Sequence, residues 1–217
     1  PSLSGHTFVP TDAVAVLPLD AKKVISRRAA MELPKGAIIN LGVGTPEGIA
    51  NVAAEEGVSD MITMTSESGA VAGVPLGGKA FGSVQNAWAI VEQQVQFDFY
   101  DGGGLDVSYL GLAECDKVGN VNVSHFGTSV TGCGGFINIS QTTPTLVYCG
   151  TFTAGGLKET FGDGKLTIVQ EGRKKKFIDK VQQITFSGEF GSETNQNVLY
   201  VTERAVFKLV KGGLKLI

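Results

Sequence analysis

Apolar residues recur along this chain in two textures, one helical and one strand-like, and the changes between them mark its elements. Residues 1–19 mix small, apolar and Pro positions without a period, which predicts a linker or extended arm ahead of a folded domain over 20–217. Over Ala21–Leu33 the period becomes helical: Val24, Ala29 and Leu33 are apolar while Lys22, Lys23, Arg27 and Arg28 are charged, and Pro34-Lys35-Gly36 ends the run. The short apolar run Ala37–Leu41 predicts a strand. It leads through Gly42-Val43-Gly44 into Thr45-Pro46-Glu47, which reads as a helix start: Thr45 as cap, Pro46 at the first helical position, and Glu47 in the positive first turn. That helix is expected to run to about Glu56 and stop at Gly57. Met61–Thr65, apolar and partly β-branched, predicts the next strand.

Strand, glycine turn, helix, strand is a βαβ unit. The expected fold class is therefore α/β, an open, mostly parallel sheet with helices on both faces and right-handed crossovers. A second helix is expected over Asn86–Val95, where Ala87, Trp88, Ile90, Val91 and Val95 form a core-facing stripe, and Phe97–Tyr100 reads as a strand before Asp101-Gly102-Gly103-Gly104. From Val107 onward strands dominate. They are expected at Val107–Ala113, Val118–Ser124, Phe136–Ile139, Thr145–Cys149, Leu166–Gln170, Val181–Phe186, Val198–Thr202 and Val206–Val210, with a turn at Asp116–Asn120. Gly132-Cys133-Gly134-Gly135 is a glycine loop placed just before one of them.

Composition then narrows the class. A hydrophobic fraction of 42% and a charged fraction of 18% exclude a disordered tail protein. No run approaches the ~18 consecutive apolar residues of a membrane helix, and a net charge of −3 gives no support to nucleic acid as a partner. Cys115, Cys133 and Cys149 are widely spaced with no Cys-x-x-Cys pair, which speaks against a disulfide framework or a zinc site and fits a reducing cytoplasm. The chain opens on Pro1 and stops inside an apolar, strand-like run at Ile217, so a piece of a longer polypeptide is expected, with part of the site in the remainder.

Glycine changes the picture most. The 30 glycines are about twice the ordinary share of ~7%, without a collagen period, so they mark turns and close backbone approaches. Five of them, Gly69, Gly73, Gly77, Gly78 and Gly82, follow Glu67, which stands where the Met61–Thr65 strand ends. Ligands of open α/β sheets bind beyond the carboxyl ends of the strands. A carboxylate there can act as nucleophile, general base, metal ligand or ribose acceptor, or simply as a solvated or capping acid. Small neighbours (Ser66, Ser68, Gly69) leave Glu67 approachable. In a parallel sheet the loops at 42–48, 69–82 and 132–135 would converge and offer an oxyanion their amides.

Other features carry less. Gly42–Gly48 resembles a dinucleotide fingerprint with an acid about 20 residues beyond, but its third glycine is one place late and Glu47 would repel a pyrophosphate. His125 has no marked nucleophile beside it and reads as a packed or surface residue. Cys133 is flanked by glycines, yet an isolated cysteine is usually a small buried residue. Arg173-Lys174-Lys175-Lys176 is expected in a turn, as a solvated face or a contact with a phosphate-bearing ligand.

The string Glu67-Ser-Gly-Ala-Val-Ala-Gly-Val-Pro-Leu-Gly-Gly resembles the catalytic glutamate segment of the family I coenzyme A transferases. With Asp101-Gly-Gly-Gly-Leu-Asp-Val-Ser-Tyr-Leu-Gly, Gly119-Asn-Val-Asn and Gly132-Cys-Gly-Gly-Phe-Ile-Asn-Ile, residues 20–217 are similar to the carboxyl-terminal half of the short-chain acyl (propionate/acetate) subgroup. The resemblance implies ping-pong transfer of coenzyme A between a short-chain acyl-CoA and a carboxylic acid, through a thioester on Glu67. It implies an oxyanion amide from Gly134 or Gly135, and coenzyme A contacts at Gly44, Gly69, Gly73, Gly132 and Ile139. Coenzyme A enters as substrate, with no tightly bound cofactor and no metal. An amino-terminal half or partner subunit, and an assembly of like chains, are implied as well. One departure is Ser68, where many relatives have Asn. The alternatives are a non-catalytic sugar-phosphate or effector-binding module, and a dinucleotide-dependent oxidoreductase built on Gly42–Gly48.

Overall fold

The structure is a computed structural model that describes residues 2–10 and 16–217, apart from the side chain of Lys79. Pro1 and residues 11–15 of the expected arm lie outside the described residues. Among the described residues, no helix is long and apolar enough to cross a membrane.

One nine-stranded sheet organises the chain. Its strands in chain order are β1 (Ile38–Leu41), β2 (Thr63–Thr65), β3 (Ala70–Val71), β4 (Ala89–Ile90), β5 (Val107–Gly111), β6 (Thr145–Cys149), β7 (Asn197–Val201), β8 (Val206–Val210) and β9 (Gly213–Leu216). In space they run β9-β8-β7-β6-β5-β1-β2-β3-β4. The five central strands, β7-β6-β5-β1-β2, are parallel; the edges on both sides are antiparallel.

Alternation along the parallel strands builds two cores. Tyr109, Val147 and Leu199 face one side with helices α1 (Ala21–Ala30) and α2 (Gly48–Glu55). Leu110, Tyr148 and Tyr200 face the other, with α3 (Gln93–Asp101) and α4 (Phe136–Thr142). Strands buried on both faces read as continuous apolar runs, which is why β1, β5, β6 and β7 fall where the sequence places them.

Helix boundaries differ where tertiary contacts compete with periodicity. The stripe expected as a helix over Asn86–Val95 instead forms the edge strand β4, with Ala70 opposite Ile90 and Val71 opposite Ala89. Asn86 has φ 60°, which a helix does not admit, and Trp88, Ile90 and Val95 are exposed while Ala87 is buried against Ala70 and Val84, so the residues do not form one core-facing stripe. The helix lies one step later, as α3, and takes in Phe97–Tyr100; Gln96 and Tyr100, four apart, point into the core. Phe136–Ile139 is likewise helical, with Phe136, Ile139 and Ser140 buried along one side of α4.

Val181–Phe186 forms no strand, only a single bridge from Phe186 to Val121. Val118–Ser124 shrinks to Val121–Asn122, because the Asp116 carboxylate accepts the amides of Val118 and Asn120 and holds the preceding residues in a turn. Thr45-Pro46-Glu47 is a turn rather than the first helical residues, and no side chain caps α2. Lys174–Lys175 is a short strand paired with Thr153–Ala154, not a turn. Helix α5 (Gly188–Glu193) and the strand Lys158–Gly162 have no counterpart in the sequence reading; Lys158–Gly162 pairs in a hairpin with Lys165–Gln170, the strand expected at Leu166–Gln170, and β9 is the strand-like run near Ile217.

Candidate active site

Strand order reverses beside β1. The chain passes from β1 to β2 on one side, whereas β5 adds to the other. Such a switch point opens a crevice at the carboxyl ends of the strands, where neighbouring connections leave in opposite directions. A cleft of about 300 Å³ occupies that place. Its walls come from the end of β1 (Asn40, Gly42, Val43), the end of β5 (Leu110, Gly111), and the loop and first turn of α4 (Gly132 to Phe136, with Ile139). Glu67, Phe81 and Val123 complete it.

Glu67 is held at the tip of a tight connection between β2 and β3. The Ser66 carbonyl accepts the Gly69 amide at 2.9 Å and the Ser66 amide donates to the Ala70 carbonyl at 3.0 Å, which turns the chain within four residues. Ser68 Oγ donates to the Gly82 carbonyl at 2.5 Å and bonds Ser66 Oγ at 2.9 Å, fastening the tip to the loop that follows. The Glu67 side chain is half-buried, and burial raises its pKa above the usual carboxylate range. Among the described residues no cation or hydrogen-bond donor engages the carboxylate. A desolvated, unneutralised carboxylate is more basic, and so more nucleophilic, than one in an ion pair.

Gly135 explains its own identity. A Cβ added there would lie 2.7 Å from Glu67 Oε2 and 2.6 Å from Phe97 Cζ, so backbone and carboxylate touch only because the side chain is hydrogen. The amides of Gly134 and Gly135 have no backbone or side-chain acceptor among the described residues. They stand ahead of the first turn of α4, in the same cleft as the Glu67 carboxylate. This arrangement offers donors to an oxygen gaining charge in the cleft.

Beneath the carboxylate a polar chain links three elements. Tyr100 Oη donates to Thr65 Oγ1 at 2.8 Å, Thr65 Oγ1 donates to the Ile39 carbonyl at 2.7 Å, and Asn40 Nδ2 donates to Tyr100 Oη at 3.3 Å. Burial drives the Tyr100 pKa up, the hydrogen bond from Tyr100 to Thr65 opposes it, and the nearby charge of Glu67 adds to the rise. These residues tie β1, β2 and α3 into a rigid floor. Asn40 and Tyr100 escaped the sequence reading; the one signal was a polar residue, Asn40, inside the apolar run of β1.

The predicted site residues divide. Glu67, Gly132, Gly134, Gly135 and Ile139 line the cleft together. Gly44 lines a larger adjoining cavity instead. Gly69 and Gly73 serve the hairpin packing: an added Cβ would meet the Val91 carbonyl oxygen at 2.0 Å and the Gln85 carbonyl oxygen at 2.3 Å respectively. Cys133 lines the cleft and is half-buried, whereas Cys115 and Cys149 are buried with thiols pushed far up by desolvation. His125 stands apart from the cleft, its ring nitrogen 3.4 Å from Gln182 Nε2. Among the described residues no group of three or more metal-ligating side chains assembles.

No protein-family model matches the chain. It is 48% identical over 221 residues to the caffeate CoA-transferase of Acetobacterium woodii, covering 100% of this chain and 42% of that protein. The crystal structure of the acyl-CoA transferase YdiF apoenzyme from Escherichia coli O157:H7 superposes with a TM-score of 0.90 at 48% identity, over 99% of this chain and 39% of that one. A thioester complex of the same enzyme with CoA gives 0.86 at 49% identity, over 94% of this chain and 38% of that one. The chain thus spans about two fifths of the length of the relatives it matches. In sequence and in fold this chain belongs to the family I coenzyme A transferases, and it corresponds to their carboxyl-terminal half.

Proposed function

We propose that the chain is the catalytic part of an enzyme that transfers coenzyme A between a short-chain acyl-CoA and a free carboxylic acid, with Glu67 as covalent nucleophile. The observation that carries this reading is the unpaired, half-buried Glu67 carboxylate against the bare backbone of Gly135 at the switch point of the sheet. The CoA thioester complex of the 49%-identical YdiF supports it, since that protein's fold admits a CoA thioester.

In the proposed cycle the Glu67 carboxylate attacks the carbonyl carbon of the acyl-CoA. The carbon–sulfur bond breaks, giving an acyl-glutamyl anhydride and CoA thiolate. The thiolate then attacks the glutamyl carbonyl, the first carboxylate leaves, and a glutamyl-CoA thioester remains. A second carboxylate reverses the sequence. Each addition places negative charge on a carbonyl oxygen, and the free amides of Gly134 and Gly135 are the donors for it. One such donor is worth roughly 3 kcal/mol of transition-state stabilisation. Because the site exchanges acyl groups between a thioester and a carboxylate, a protein carboxylate serves as intermediary without a change of redox state.

The partners in this reading are acyl-CoA, a short-chain acid, and the remaining part of the protein or a partner subunit. The test is isotope exchange between acetate and acetyl-CoA by the full-length protein. Glu67→Ala is expected to abolish exchange; retention of full exchange would exclude Glu67 as nucleophile.

A further inference from the structure

Most of the apolar wall around Glu67 serves the fold as well as the cleft. Leu110, Phe136 and Ile139 belong to the core on the α3 and α4 side, and Val123 packs against it. Phe81 is different. It lines the same cleft and is half-buried, yet among the described residues it joins none of the apolar cores. Core packing therefore gives no reason for a large aromatic side chain at this position, and the cleft does.

The chain around Phe81 is shaped to hold the ring in place. It lies on the connection between Val74–Pro75 and Val84–Gln85, which pair antiparallel. The Phe81 amide donates to the Gly78 carbonyl at 3.2 Å, the Ser83 amide to the Ala80 carbonyl at 3.0 Å, and the Leu76 amide to the Ser83 carbonyl at 2.9 Å. Gly82 follows at φ +89°, a left-handed conformation that glycine adopts freely, and its carbonyl accepts Ser68 Oγ at 2.5 Å. One hydrogen bond thus ties the residue after the ring to the residue after the carboxylate. Burial already raises the pKa of Glu67, the mark of a carboxylate that meets little water.

We propose that Phe81 shields the glutamyl-CoA thioester from water and so decides between transfer and hydrolysis. The assignment rests on the reading of Glu67 as covalent nucleophile. A thioester on Glu67 is open to any oxygen nucleophile that reaches its carbonyl carbon, and water far outnumbers an acid acceptor. Attack by water forms a carbon–oxygen bond and breaks the carbon–sulfur bond. Coenzyme A leaves as thiolate and takes one proton of the water, the other passes to solvent, and Glu67 returns as a carboxylate that carries one oxygen from water. The acyl group is then lost as free acid without transfer. A site that excludes water suppresses this side reaction, and an apolar ring that cannot hydrogen-bond water suits the task.

The test is incubation of the full-length protein with acetyl-CoA in heavy-oxygen water. It reads thiol release without an acid acceptor, isotope exchange between acetate and acetyl-CoA, and the mass of the peptide that carries Glu67. In Phe81→Ala the ratio of hydrolysis to exchange is expected to rise ~10-fold or more, with heavy oxygen entering Glu67. Phe81→Leu, which keeps an apolar side chain over the carboxylate, should hold the ratio within about threefold of the parent. A merely structural role would lower both rates together and leave the ratio alone. Where Phe81→Ala does not fold, Ser68→Ala carries the test: it releases the loop at the Gly82 carbonyl, keeps the ring, and should raise the ratio in the same direction. An unchanged ratio with heavy oxygen on Glu67 overturns the role of Phe81 alone. Hydrolysis that leaves no heavy oxygen on Glu67 in any variant overturns the reading of Glu67, and the shielding role with it.

Discussion

Gly135→Ala isolates the contact on which the proposed chemistry depends. Gly135 has φ −79° and ψ 0°, a conformation open to alanine, so backbone strain does not enter. Steric conflict does. The new methyl would be 2.7 Å from Glu67 Oε2 and 2.6 to 2.9 Å from two atoms of the Phe97 ring, where ordinary contact begins at 3.4 Å. The carboxylate must therefore retreat by ~0.7 Å or more, and a displacement of about 1 Å at a reacting group costs on the order of 100-fold in rate. Phe97 must turn too, against an edge-on contact with Tyr100 at 5.9 Å. Overpacking of this kind costs ~1–3 kcal/mol of stability, and each kcal/mol is worth about 2–4 °C in Tm for a chain of this size.

The neighbouring Gly134→Ala is the control. Gly134 has φ +50° with nothing within 4 Å of an added Cβ, so it brings strain of ~1 kcal/mol without a clash. Steady-state exchange between acetate and acetyl-CoA, together with thermal denaturation of the full-length variants, separates the two. Gly135→Ala should lose about 100-fold in kcat and Gly134→Ala less than tenfold. Turnover by Gly135→Ala within about threefold of the parent, or an equal loss in both variants, would refute the reasoning.

Three further outcomes follow from other parts of the molecule. Burial raises the Glu67 pKa, so its ionised form weakens the fold: the stability it contributes is present at low pH and lost as pH rises through the folded-state pKa. Glu67→Gln should accordingly raise Tm near pH 8, with the gain shrinking towards pH 4; a constant difference across that range would contradict the cause given. Tyr200 Oη donates to the Gly119 carbonyl at 2.6 Å in the core whereas Tyr109 Oη is buried without a partner among the described residues, so urea denaturation should cost Tyr200→Phe about 1 kcal/mol and leave Tyr109→Phe near neutral. Cys133 lines the cleft while the other two thiols are buried, so a maleimide should label Cys133 first and block transfer, and bound coenzyme A should slow labelling; faster labelling of Cys115 or Cys149 would count against the burial described.

What the residues disclosed follows a physical line. The parallel strands are buried on both faces, so Ala37–Leu41, Val107–Ala113, Thr145–Cys149 and Val198–Thr202 stood out as apolar runs that only a sheet core accommodates. Glu67 stood out because glycines follow it, and Gly135 is glycine for a reason now visible at 2.7 Å. Phe136–Ile139, expected as a strand, is the first turn of α4: four residues with apolar ends fit either element, and the burial of Phe136, Ile139 and Ser140 along one side belongs to the helix. The Trp88 and Ile90 stripe misled because both side chains are exposed, and periodicity carries no record of whether a face is covered. Tyr100 left no mark as a site residue and Asn40 only that of a polar residue inside an apolar run, since their place under Glu67 arises from the meeting of α3 with β1 and β2.

The most direct measurement is mass spectrometry of the full-length protein after incubation with acetyl-CoA, before and after borohydride reduction. The account predicts a coenzyme A adduct on the peptide that carries Glu67, conversion of that side chain to its alcohol by borohydride, and neither product from Glu67→Ala. An adduct on a different residue, or turnover with Glu67 unmodified at every stage, would contradict it.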